Sequence, residues 1–305
     1  MNKRVLIFGG SSFIALNLIE KFLMESYDVV VYGRTKPHLE SPKLTFIQGE
    51  LSNLEDKIDI LKTYNIQSAI YLINNIPVNT PTENYDLLIE ENKSALKLIF
   101  SAVERVIYFS SGGRVYENSD LPHKESDRLS PVCSYGKSKV ELERFISQYG
   151  KSINKEHLII RPSNPFGKYQ KIHSNQGLIA VLIGKIRENK KVQVWGTGKE
   201  IRDYIYIDDF VNLFFRLFQF RDVNYTVFNI GSGSGVATID VINAVFKEMK
   251  TDMCLEYLNV QREIILTNIL DNSRLFSVIG GYEITSLEDG LRIFISQVKN
   301  AKHID

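Results

Sequence analysis

Tyr135 and Lys139 stand four residues apart in Ser134-Tyr135-Gly136-Lys137-Ser138-Lys139, and the segment continues with helical periodicity through Ile146. Residues at i and i+4 share one helix face, which lets the ammonium lie below the phenol. A nearby positive charge favours phenolate, so the spacing predicts a tyrosine whose pKa is pulled down and which can exchange a proton with a hydroxyl group. Alone, the same spacing also describes a surface helix with a solvated lysine, so its meaning depends on the elements around it.

Those elements begin at the first residues. Residues 3–8 read as an apolar strand, followed by Gly9-Gly10-Ser11-Ser12-Phe13-Ile14-Ala15 and an amphipathic helix through Met24. Strand, glycine turn and helix N-terminus together make an anion site, with backbone N–H groups and the helix dipole facing a pyrophosphate. Gly10, Ser12 and Ala15 fall on the three places of the dinucleotide fingerprint G-x-G-x-x-G/A, with Ser12 in place of the middle glycine. The second strand, Asp28–Tyr32, ends in Gly33-Arg34. An NAD-preferring site places a carboxylate here; Gly33 offers none, and Arg34 can pair with a 2′-phosphate or stack on adenine. The cofactor expected is therefore NADP or NAD, with NADP(H) permitted.

Further strands, at Leu44–Ile47, Ser68–Ile73 and Arg105–Phe109, alternate with helices, one of them running long through Asn92. That alternation predicts a doubly wound parallel α/β sheet. Ser110-Ser111-Gly112-Gly113-Arg114-Val115-Tyr116 then forms a polar turn at a strand's C-terminal end, where open sheets bind ligands.

The chain has 305 residues, 44% hydrophobic and 24% charged, with a formal net charge of +1. These values suit a soluble α/β protein of one large or two associated domains and give no electrostatic basis for nucleic-acid binding. Cys133 and Cys254 belong to no metal or CxxC spacing and the five histidines form no ligand pair, so no metal site is expected. A reduced, cytoplasmic setting without membrane spans is the expectation.

Taken together, these stretches resemble the extended short-chain dehydrogenase/reductase family, in particular its nucleotide-sugar epimerases, dehydratases and reductases. The resemblance runs over nearly the whole chain. Besides the motifs above it rests on Arg161-Pro162-Ser163-Asn164-Pro165-Phe166-Gly167, Gln176-Gly177 and Gly196-x-Gly198-xxx-Arg202-Asp203-Tyr204. It continues through Phe228-Asn229-Ile230-Gly231-Ser232-Gly233, Arg262 and Leu270-Asp271. It implies a Rossmann domain over 1–165 and a smaller, mainly sugar-nucleotide-binding domain over 166–305, with segments near 203–235 returning to the first. It also implies a homodimer, a nucleotide-diphosphate sugar as substrate, and a role in bacterial surface-polysaccharide precursors.

Carried over by position, Tyr135 is the acid/base and Lys139 its ribose-binding partner. Gly9, Gly10, Ser12, Phe13 and Ile14 line the pyrophosphate turn. Arg34, Glu50 and Leu51 border the adenosine end, and Asn92 joins the cofactor's neighbours. Asn164, Gln176, Gln193, Arg202 and Arg262 address the substrate nucleotide. Where the family has a Ser or Thr on the reacting sugar oxygen this chain has Gly112, and Ser111 is the nearest substitute. The glycine run 231–235 reads either as a second phosphate loop or as a plain turn. Two activities remain open: a 4-ketoreductase acting on a nucleotide-activated 4-keto-6-deoxyhexose, and a UDP-hexose 4-epimerase. A non-catalytic sugar-nucleotide-binding protein is the third reading.

Overall fold

The computed structural model describes residues 3–78, 80–174, 176–221, 224–259 and 265–300. The strands are β1 (Arg4–Phe8), β2 (Asp28–Gly33), β3 (Leu44–Gln48), β4 (Ser68–Tyr71), β5 (Arg105–Phe109), β6 (Glu156–Pro162) and β7 (Asn164–Phe166). After them come β8 (Val192–Trp195), β9 (Ile201–Tyr206), β10 (Val227–Ile230), β11 (Gly235–Ala237), β12 (Leu255–Leu258) and β13 (Thr267–Asn268). The helices are α1 (Phe13–Met24), α2 (Ile58–Thr63), α3 (Thr82–Ala102), α4 (Gly112–Val115) and α5 (Ser134–Ser152). The rest are α6 (Leu178–Arg187), α7 (Ile207–Gln219), α8 (Thr238–Met249), α9 (Ser273–Ile279) and α10 (Leu287–Asn300).

The main sheet has seven strands in the order β10-β6-β5-β4-β1-β2-β3. Its pairings are parallel, with Val5 opposite Val29 on one side and Ser68 on the other. Such strands are covered on both faces, so they carry continuous apolar runs: all of β4 and β5, and β1 after Arg4, are buried. The order reverses between β1 and β4, the switch point at which doubly wound sheets bind ligands beyond the strands' C-terminal ends. The turns that follow β1, β4 and β5 all open at that end.

The chain divides into two compact units. One comprises Met1–Val115, Leu129–Arg161 and Arg221–Phe228; the other comprises Tyr116–Arg128, Pro162–Phe220 and Asn229–Asp305. The segment 116–128, which a division at 165/166 keeps in the first domain, lies in the second unit. Its place there is fixed by pairing: His123 bridges Leu270, and the Asn229 side-chain amide donates to the His123 carbonyl at 2.8 Å. Within the second unit β9 pairs with β7, β11 and β13, while β8 pairs with β12. Among the described residues no helix is long and apolar enough to cross a membrane.

Candidate active site

In the first unit the glycine turn is shaped by steric limits. Gly9 has φ +87°, and a Cβ there would stand 3.2 Å from the Ile73 backbone nitrogen. Gly10 lies against Val31 of β2 with no room for a side chain. Ser12, expected to sit where the backbone meets the phosphates, is the N-cap of α1, and its Oγ accepts from the Ala15 N–H at 3.4 Å. Its side chain thus serves the helix end. Ser11 and Ser12 are exposed and Phe13 and Ile14 half-buried, so the helix N-terminus opens to solvent.

Gly33 ends β2 beside this turn. A Cβ built there meets nothing nearer than the Gly9 nitrogen at 3.8 Å, so the missing carboxylate is not a steric necessity. Arg34 is exposed, and its carbonyl accepts from Gln48 Nε2 at 3.4 Å. Glu50 and Leu51 follow β3; Glu50 is exposed, and its carbonyl accepts from the Tyr32 hydroxyl at 2.7 Å. A helix N-terminus behind a glycine turn, with a side-chain-free strand end and a guanidinium next to it, fits a nicotinamide dinucleotide. Asn92, also expected near the cofactor, lies in a different setting. It is buried in α3, where it accepts from the Tyr71 hydroxyl at 2.6 Å and donates to Asn75 and the Leu88 carbonyl at 2.8 and 2.6 Å. Two of these bonds tie α3 to β4 and the loop that follows it.

Tyr135 and Lys139 lie in the first turns of α5, whose N-cap is Cys133. Gly136 lets this helix approach the turn after β5: a Cβ would collide with the Arg114 carbonyl and stand 2.9 Å from Pro131 Cβ. Ser111 is consequently held within hydrogen-bond reach of the Tyr135 side chain. Lys139 is buried, donates to the Phe109 carbonyl at 2.9 Å, and sits over the Tyr135 ring 5.4 Å from its centroid.

The expected electrostatics are corrected in two ways. Burial pushes the Tyr135 phenol up from its usual value, while Ser111's hydrogen bond and the Arg114 charge oppose the rise. The opposing contributions come from Ser111 and Arg114, while the Lys139 ammonium stands over the ring, 5.4 Å from its centroid. Lys139 is itself pulled down to about 8 by burial, with Glu143 opposing. Glu143, a further turn along α5, was not singled out from the sequence. It accepts from the Arg161 guanidinium at 3.0 and 2.6 Å, a buried two-point pair joining α5 to β6. The i, i+4, i+8 spacing of Tyr135, Lys139 and Glu143 was the available signal.

In the second unit Asn164 begins β7 and donates to the Asp203 carbonyl at 2.7 Å. The Arg202 guanidinium donates to the carbonyls of Ile201, Ile265 and Leu266 at 2.7, 2.6 and 3.2 Å. Gln176 is exposed. Gln193, on β8, donates to Glu256 of β12 at 3.0 Å, and Trp195 is exposed two residues on. Arg262 lies outside the described residues. The glycine run after β10 proves to be an internal anion nest. The buried Asp203 carboxylate accepts from Ser232 N–H and Oγ at 2.8 Å each and from the Gly233 and Leu270 N–H groups at 3.2 Å. It is therefore neither a second phosphate loop nor a flexible turn.

A doubly wound parallel sheet, a capped glycine turn and a Tyr–Lys helix at the same sheet end define a dinucleotide-dependent enzyme of the short-chain dehydrogenase/reductase class. The model of the NAD dependent epimerase/dehydratase family matches residues 5–231. The chain is 29% identical over 313 residues to the dTDP-4-dehydro-6-deoxyglucose reductase of Escherichia coli, covering 97% of both proteins. It is 23% identical over 311 residues to the UDP-glucose 4-epimerase of Mycolicibacterium smegmatis, covering 97% and 99%. Its fold matches the UDP-glucose 4-epimerase of Thermotoga maritima, solved with UDP-glucose, at a TM-score of 0.88 and 22% identity over 97% and 98% of the two chains. The protein belongs to the NAD-dependent epimerase/dehydratase family, the extended group of nucleotide-sugar epimerases, dehydratases and reductases, and is an NAD(P)-dependent enzyme.

Proposed function

We propose that the protein reduces the C4 keto group of a nucleotide-activated 4-keto-6-deoxyhexose with NADPH or NADH. The observation that carries this reading is Gly33: the strand end has space for an acid, carries none, and is followed by the exposed Arg34. Such an end lacks the repulsion that would exclude a 2′-phosphate and suits a cofactor that enters and leaves each cycle. The Escherichia coli relative named as a dTDP-4-dehydro-6-deoxyglucose reductase supports the same reaction.

In this proposal Gly9, Gly10, Ser12, Phe13 and Ile14 hold the dinucleotide's diphosphate, and Arg34, Glu50 and Leu51 its adenosine end. Bound reduced nicotinamide supplies the hydride. Tyr135 delivers the proton to the C4 oxygen as that oxygen gains charge, and its raised pKa keeps the phenol protonated for donation. Ser111 stands in for the hydroxyl that Gly112 lacks: bonded to Tyr135, it orients the phenol. Lys139 supplies positive charge beside the ring. On the substrate side the roles proposed are for Asn164, Gln176, Gln193, Arg202 and Arg262, with the two guanidiniums suited to a diphosphate.

The test pairs two incubations. With a 4-keto-6-deoxy sugar nucleotide, NADPH should be consumed one for one and the C4 hydroxyl formed. With UDP-glucose and no added reductant, no C4 epimer should form. An equilibrium mixture of epimers in the second incubation overturns the proposal in favour of a 4-epimerase.

A further inference from the structure

The ammonium of Lys139 touches two tyrosine rings. Besides Tyr135, whose ring centroid is 5.4 Å from Nζ, it lies over Tyr108 at 5.0 Å. Tyr108 is on β5, immediately before Phe109, whose carbonyl accepts the Lys139 hydrogen bond. One strand therefore offers the lysine both an acceptor and a π face. Tyr108 has no exposure to solvent, and its hydroxyl has no hydrogen-bond partner among the described residues. A buried phenol with nothing to bond is normally replaced at no loss by phenylalanine, so any contribution of this residue must come from the ring. The ring is well fixed, since it packs 6.1 Å from Tyr71, whose own hydroxyl is tied to Asn92.

We propose that Tyr108 is a positioning residue that holds Lys139 charged and in place through the negative face of its ring. An ammonium stripped of water is stabilised by an aromatic face more strongly than an exposed one. The other groups acting on this ammonium are Tyr135 and Glu143 of α5, and Glu143 is already paired with Arg161 of β6. Glu143 is shared with Arg161 and so favours the charge only in part, and the Phe109 carbonyl and the Tyr108 ring add to it at closest range. The inference rests on the reading of Lys139 as the partner of Tyr135, and adds a residue to it.

The experiment replaces the ring's electronic character without changing its shape. Tyr108→Phe is made alongside versions in which that phenylalanine is fluorinated stepwise up to five times, which drains the quadrupole at nearly constant volume. The readout is the titration midpoint of Lys139 in the substrate-free protein, followed by NMR on ε-carbon-labelled lysine. The resonance is assigned by its loss in Lys139→Met. Tyr108→Phe should leave the midpoint unchanged, and progressive fluorination should lower it by roughly one pH unit in total. A midpoint that stays level across the series, or one that drops fully on Tyr108→Phe, overturns the role of the ring. No substrate is involved. A graded series in a protein that fails to reduce a keto sugar would sink only the reductase reading, and a flat series in an active reductase would sink only Tyr108.

Discussion

At the scale of single residues, Lys139 is held folded against its own solvation. Its pKa is pulled from 10.5 to about 8 by burial, so the folded chain binds this proton less tightly than the unfolded chain. Below about 8 both states are protonated and the full burial cost is present. Between there and 10.5 the unfolded chain holds the extra proton, so rising pH relieves the cost. Lys139→Met should therefore be more stable than the parent at pH ~7 by on the order of 1–3 kcal/mol. That gain should shrink towards pH ~10, as urea unfolding at the two pH values will read; an advantage that grows with pH contradicts the argument. Tyr135→Phe should leave the protein folded, with at most about 1 kcal/mol lost with the Ser111 hydrogen bond, and cost at least about a hundredfold in turnover; near-parental turnover removes Tyr135 from the chemistry. This pair was legible in the sequence because i and i+4 on one helix is a local relation. The direction of the ammonium was not legible, because it is set by the Phe109 carbonyl and the Tyr108 ring on a strand some thirty residues away. The partners of Asn92 were hidden for the same reason: a polar residue on a long helix gives no sign of which face it presents, and Tyr71 and Asn75 come from the strand and loop before that helix.

At the scale of elements, two strands carry the argument. The end of β2 has space at Gly33, where the nearest atom to an added Cβ is 3.8 Å away. Gly33→Asp should fold normally, weaken NADPH by on the order of tenfold through repulsion of the 2′-phosphate, and spare or improve NADH. Equilibrium titration with both cofactors is the check, and equal losses for the two would mean the change acts on the turn and not on charge. Within β9 stands Asp203, whose carboxylate gathers four hydrogen bonds from the 232–233 loop and Leu270. Asp203→Ala leaves these donors without their acceptor and should destabilise the protein by roughly 2–4 kcal/mol. Chemical denaturation that moves by less than half of this would show that the loop stands without its anion. The strands, the capped turn and their parallel order were readable from apolar runs and glycine punctuation. The loop's purpose was not: its ligand comes from a strand almost thirty residues earlier, and a glycine run looks the same whether its N–H groups face a phosphate or an aspartate.

At the scale of the whole chain, a segment of thirteen residues, Tyr116–Arg128, leaves the first unit, and a shorter one, Arg221–Phe228, returns to it. A sequence cut reads only order along the chain, whereas the exchange is made by pairings such as His123 with Leu270. Family membership likewise follows from motif order over residues 5–231, but epimerases and reductases share those motifs. What separates them is the fate of the hydride. An epimerase returns it to the same sugar and can keep its nucleotide through every cycle; a reductase must exchange oxidised for reduced cofactor once per turnover. With no acid at Gly33 to clasp the ribose hydroxyls and Arg34 exposed to solvent, the proposed reductase should be isolated with well under one dinucleotide per chain. Heat-released nucleotide, quantified by mass spectrometry, measures this directly. With NADPH carrying deuterium on the transferred position, the label should appear at C4 of the product sugar in every turnover. A purified protein holding close to one NAD per chain, or a product without label, would place it among the epimerases instead.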